Sequence, residues 1–127
     1  MRTRAWSFVG VLTLLAAPSV AQARIPAENR LAAEAFQAAV RGEREFAADF
    51  MVKPPAGDER AFLMNLGACE ASGLQEGGGN SVRITWSCNS EGLHFQKYVI
   101  LWMDEGKIAR VGIFDCSRGD GRRACNG

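Results

Sequence analysis

The stretch that decides the fold runs from Ser81 to Cys116. It reads SVRITWSC (81–88), a short polar turn, GLHFQKYVILWM (92–103), DEG (104–106) and KIARVGIFDC (107–116). Three apolar-rich runs joined by tight Gly-containing turns predict three consecutive strands, an antiparallel meander. In the first run Val82, Ile84, Trp86 and Cys88 alternate with Arg83, Thr85 and Ser87, so one face is buried and the other is wet. The middle run is apolar on both sides in its later half. Leu93, Phe95, Lys97, Val99, Leu101 and Met103 share one side, and His94, Gln96, Tyr98, Ile100 and Trp102 share the other. That composition predicts a central strand with cover on part of each face. Gly106 supplies the backbone angle of the second turn. In the last run Ala109, Val111 and Ile113 alternate with Arg110, Gly112 and Phe114, and Gly112 is read as a bulge or a point of close approach.

Ahead of the meander the apolar period is that of a helix. Leu31, Ala32, Ala35, Phe36, Ala39 and Val40 form one stripe between Pro26 and Gly42, and the alanines favour close packing. Phe46, Ala47, Phe50 and Met51 predict a second short helix over 43–51. Lys53-Pro54-Pro55-Ala56-Gly57 breaks the chain. Asp58 is read as the N-cap of a third helix, with Phe62, Leu63 and Leu66 on one side and a stop near Gly67. The segment 70–75 is an edge strand or irregular chain. Glu76-Gly77-Gly78-Gly79-Asn80 is a flexible turn that lacks the Lys-Ser/Thr pair of a phosphate loop. Helices followed by strands give the α+β class, with N-terminal helices packed on a curved antiparallel sheet that ends in a three-stranded meander.

The first residues read as a leader. Arg2 and Arg4 precede an apolar run from Phe8 to Ala17, and Ala21-Gln22-Ala23 offers small residues at the cleavage positions. The expected organisation is a signal peptide over 1–23 and a single disulfide-stabilised α+β domain over 24–127, periplasmic or secreted, with no membrane span. Removing Arg2 and Arg4 takes the formal net charge from +1 to −1, a balance that gives no reason to expect nucleic acid as a partner. The four cysteines, Cys69, Cys88, Cys116 and Cys125, form an even set in an exported chain and read as two disulfides. Of the three pairings, Cys69–Cys88 and Cys116–Cys125 are favoured. The first ties a helix end to the first meander strand, and the second pins the polar tail to the last. Their spacing lacks a CxxC knuckle, so no metal is expected, and no motif calls for a cofactor.

The chain also resembles the NTF2-like superfamily, the cone-shaped α+β fold of ketosteroid isomerases and polyketide cyclases. The resemblance rests on Gly42-Glu43-Arg44-Glu45-Phe46 after the first helix, on the Pro/Gly break before a later helix, and on the ending Tyr98 to Val111 with its Asp104-Glu105-Gly106-Lys107-Ile108 turn. It implies an acid/base enzyme acting on a small hydrophobic substrate inside the cone. Asp49 and Asp115 do not sit in a matching local motif.

The residues themselves offer one functional stripe. His94, the sole histidine, shares a strand side with Gln96 and Tyr98, where it would serve as a general base near neutral pH. A histidine near a strand start is more commonly exposed or structural. Tyr98 and Trp102, with Ile100 between them, make an aromatic face. It suits a small apolar ligand or a protein partner, and equally the core or a homodimer contact. No serine lies in a nucleophile elbow. Arg118-Gly119-Asp120 resembles a cell-adhesion tripeptide, although a solvated turn is the default for so short a match. The expectation is an exported small-ligand or protein-binding module without identifiable catalytic machinery, with His94, Gln96, Tyr98 and Trp102 as candidate ligand contacts. The alternatives are the NTF2-like acid/base enzyme, with His94 and Tyr98 as its candidates, and a secreted inhibitor or structural module that presents a disulfide-bounded loop.

Overall fold

A computed structural model of the chain describes residues 24–115. The expected leader, the expected Cys116–Cys125 bridge and the Arg118-Gly119-Asp120 tail lie outside the described residues. The class is α+β, with two α-helices, α1 (Ala27–Val40) and α2 (Gly57–Asn65), and an antiparallel sheet of five strands. The strands are β1 (Glu70–Ala71), β2 (Gln75–Glu76), β3 (Ser81–Ser90), β4 (Leu93–Asp104) and β5 (Lys107–Asp115). Their order is β1-β3-β4-β5, with β2 pairing the same edge of β3 as β1.

Two Glu-Gly turns set the meander. Glu91 and Gly92 have φ of +52° and +81°, and Glu105 and Gly106 repeat the same pair of values. Positive φ at both central residues is the type I′ turn, whose twist matches that of the flanking strands. The first turn pairs β3 with β4 from Ser90 opposite Leu93 to Ser81 opposite Trp102. β5 starts in step at Lys107 opposite Asp104, then shifts by one residue. The extra residue is Ala109, so the bulge lies there and not at Gly112 as expected. The reason is parity. Ile108, Val111 and Ile113 all turn toward the helices, and a strand of strict period two cannot send even and odd positions to one face without an added residue.

The core lies between that face and the helices. Val82, Ile84, Trp86, Val99, Leu101 and Ile108 are buried, and Phe36 of α1 meets Trp86 edge-on at 6.3 Å between ring centroids. The buried stripe of α1 is Asn29, Ala32, Ala33, Phe36, Ala39 and Val40. Leu31, expected in the core, is 63% exposed. Asn29 takes the inward position at the start of the stripe because it has a partner there. Its Nδ2 donates to Asn80 Oδ1 at 2.8 Å, and Asn80 Nδ2 donates to the Met103 carbonyl at 3.1 Å. This polar strut ties the start of α1 to the end of β4. α2 begins at Gly57 with Ala56 at its N-cap, so Asp58 falls in the first turn beside Glu59. Carboxylates there complement the helix dipole. Leu63 and Leu66 are buried as expected, while Phe62 remains 40% exposed.

The segment 43–51 is not the expected helix. It makes a single turn, in which Phe50 and Met51 N–H both donate to the Ala47 carbonyl. Its apolar residues are drawn to different places. Phe46 packs edge-on against Phe36 at 5.9 Å. The backbone of 50–52 instead clips the outer edge of β5, with Ile108 N–H donating to the Phe50 carbonyl and Val52 N–H to the Ile108 carbonyl. The segment 70–76 is a broken edge strand. Between β1 and β2, Ser72 bonds Thr85 through both its backbone N–H and its Oγ, and Leu74 is buried.

Cys69 and Cys88 form a disulfide between directly opposed positions, with Cα atoms 4.5 Å apart. That is the narrow, non-hydrogen-bonded spacing of an antiparallel pair. Among the described residues, no helix is long and apolar enough to cross a membrane.

Reducing Cys69–Cys88, which closes a separation of 19 residues, should cost about 3 kcal/mol. Urea unfolding with and without reductant measures this, and an unchanged midpoint would contradict it. Gly67 tests the helix contacts. A Cβ there would lie 2.4 Å from the Val40 carbonyl oxygen, so Gly67→Ala should destabilise by about 2 kcal/mol through a clash with backbone that has no rotamer to yield.

Candidate functional site

Because the helices occupy one face of the sheet, the side chains of opposite parity form its outer face. The pairings arrange them in rows across β3, β4 and β5. Trp102 lies beside Arg110. Next come Arg83, Ile100 and Gly112, then Thr85, Tyr98 and Phe114. Ser87 lies beside Gln96, and Asn89 beside His94. All four candidates from the sequence therefore share this face.

The rows differ in chemistry. At one end His94 is exposed and its Nδ1 donates to Asn89 Oδ1 at 3.0 Å. Gln96 Nε2 donates to Ser87 Oγ at 3.3 Å. These are cross-strand pairs of ordinary polar groups. At the other end the surface is aromatic and cationic. Tyr98 and Phe114 stack with centroids 4.9 Å apart and planes 15° from parallel. The Arg83 guanidinium lies 4.5 Å from the Tyr98 centroid, and that of Arg110 lies 3.9 Å from the Trp102 centroid. Such contacts hold an arginine in place at roughly 0.5–1 kcal/mol each when exposed. Gly112 permits the arrangement. A Cβ there would come within 2.7 Å of the Trp102 ring and 2.9 Å of the Phe114 ring, so both rings lean over the bare backbone. Here the expected close approach at Gly112 is realised.

Burial separates this face from the core. On the same strand, Val99 and Leu101 are fully buried, whereas Tyr98, Ile100 and Trp102 are half-buried and Phe114 is 39% exposed. The core is assembled from the inner set. The expected cover on both faces of β4 thus holds for the inner face.

Two clefts lie elsewhere. One, of about 380 Å³, opens between α1 and the 43–51 segment and is lined by Glu28, Leu31, Arg44, Asp49 and Phe50 among others. Arg44 in it is already engaged, donating to both Asp49 oxygens at 2.9 and 3.1 Å and lying 4.5 Å from the Phe50 centroid. The other, of about 170 Å³, lies beside β5 between Lys53, Glu59 and Val111. His94, Gln96, Tyr98 and Trp102 line neither cleft. Among the described residues, no three His, Cys, Asp or Glu side chains are grouped to hold a metal ion.

Arg83, Arg110 and Phe114 were not singled out from the sequence. The signal for Arg83 was available, since a two-residue turn at 91–92 places it directly opposite Ile100. Arg110 and Phe114 required the bulge at Ala109. Comparison of the chain with family models, with curated proteins and with solved structures yields no match.

Proposed function

We propose that this chain is an exported binding module that holds a small ligand or a protein partner on the outer face of its sheet. The observation that carries the reading is the half-exposed aromatic band of Tyr98, Trp102 and Phe114 on the strand that also builds the core. Its rings are fixed before any partner arrives by stacking and by two guanidinium contacts. A surface already in one conformation loses little side-chain freedom on binding, and partly exposed aromatic clusters are common anchors of interfaces. The leader-like sequence at 1–23 and the Cys69–Cys88 bridge support export.

Kinship with the NTF2-like superfamily remains part of the proposal. The order of helices before sheet and the Glu105-Gly106-Lys107-Ile108 turn favour it. The space between helices and sheet is filled by Phe36, Leu63 and Trp86, so the binding reading looks to the open face in place of an interior cone. For the acid/base alternative, His94 would act from an exposed strand end with Asn89 on its Nδ1. The outer-face reading draws on more contacts. The loop-presenting alternative rests on the tail beyond Asp115.

A nuclear magnetic resonance screen with small aromatic fragments tests the proposal. Shifts should cluster on outer-face positions of β3, β4 and β5 and on the Trp102 indole. Shifts confined to the two clefts would sink it. Phe114→Ser should weaken the fragments about tenfold while costing about 1 kcal/mol of stability, the worth of one aromatic pair.

A further inference from the structure

We infer that the partner of the outer face is an acidic segment of extended polypeptide, seated across Ile100 with its carboxylates on Arg83 and Arg110; this rests on the binding reading above. The argument begins with how the rings stand. Tyr98 and Phe114 are directly opposed on neighbouring strands, with centroids 4.9 Å apart and nearly parallel planes. That distance is the strand spacing itself, roughly 4.7–4.9 Å. Rings lying flat on the sheet would overlap at that separation, so the two stand on edge. Their faces are turned toward each other and, for Tyr98, toward Arg83. What they present outward is the rim, the positive end of the aromatic quadrupole. A Trp102 face is likewise covered by Arg110.

An approaching molecule therefore meets ring rims and guanidinium N–H groups. In the rows from Trp102 to His94 there is no Asp or Glu to balance them. Arg110 is exposed, and among the described residues its printed contact is the Trp102 ring, which leaves the N–H edge of its guanidinium to a partner. A planar guanidinium fixed by stacking is matched by a carboxylate accepting two hydrogen bonds. Nucleic acid fits less well. Bases bind such sheets by stacking on open ring faces, and here those faces are engaged.

The spacing selects an extended segment. Arg83 and Arg110 lie two strands and one two-residue step apart, roughly 12 Å between Cα atoms by standard sheet dimensions. Carboxylates at i and i+4 of an extended chain fall roughly 13 Å apart, with residue i+2 facing the same way. An apolar residue at i+2 would rest on half-buried Ile100.

The test uses the full chain and three labelled probes read by fluorescence anisotropy. They are a short extended peptide with Glu at i and i+4 around a central Val, the same peptide with Gln at both positions, and oligothymidylate of similar length. The Glu peptide should bind about tenfold more tightly than the Gln peptide. Added salt should narrow that gap. Arg110→Gln should remove most of it, and Arg110→Lys should retain part, with unchanged thermal melts confirming that both variants fold. Equal binding of the two peptides, with shifts on the outer face, would overturn the acidic preference and leave the binding module standing. Failure of both peptides while aromatic fragments still map to the face would have the same meaning. Loss of peptides and fragments together would remove both readings. Tighter binding of oligothymidylate than of the Glu peptide would overturn the assignment to a polypeptide.

Discussion

The register of β4 is the constraint on which the rest of the molecule depends. This one strand carries the core on one side, at Val99, Leu101 and Met103, and the aromatic band on the other, at Tyr98, Ile100 and Trp102. A slip by one residue would exchange the two sets. Each inner side chain contributes about 2 kcal/mol by burial, so exposing three of them would cost on the order of the whole net stability of a small domain. The two Glu-Gly turns guard against this from both ends. Each has positive φ at both central positions, which fixes the loop at two residues and thereby fixes which residues oppose one another.

The bulge at Ala109 is the second half of the same constraint. Without it, Arg110 would be placed opposite Leu101 and face the core, and Ile113 would face outward beside Tyr98. With it, Arg110 opposes Trp102, Val111 opposes Leu101 and Phe114 opposes Tyr98. A desolvated arginine without a partner costs far more than the lost pairing of one backbone residue. One added residue thus separates the fates of Ile108 and Arg110 and completes the outer band. The clip of 50–52 onto Ile108 lies just before this point, so the edge of β5 is held on the turn side of the bulge.

These features mark how far the sequence could be read. Strict alternation in β3 was legible because Trp86 and Ile84 must be buried while Arg83 and Thr85 need not be. The pairing of Cys69 with Cys88 followed from a helix end meeting an adjacent strand. Leu31 was misplaced because hydrophobicity alone assigned it to the stripe, while the inward position belongs to Asn29, whose partner Asn80 is distant in sequence. The segment 43–51 has helical spacing, yet Phe46 and the backbone of 50–52 answer to separate long-range contacts, with Phe36 and with β5. The aromatic members of the outer face were visible as Tyr98 and Trp102. Their arginines were not, because cation–ring contacts join residues on different strands, and for Arg110 and Phe114 the register could be counted only once the bulge was known.

The arrangement also explains how a nearly neutral chain can display a local cationic surface. Arg83 and Arg110 are offset by charges elsewhere in the sequence, so the overall balance conceals them. Sheet geometry gathers them on one face, and the rings hold them there. Removing Gly112's bare backbone would displace Trp102 and Phe114 together, and with Trp102 the support beneath Arg110. The glycine read in the sequence as a structural irregularity is therefore what allows the aromatic and cationic parts of the face to occupy the same few strands, while the core on the reverse side of β4 remains untouched.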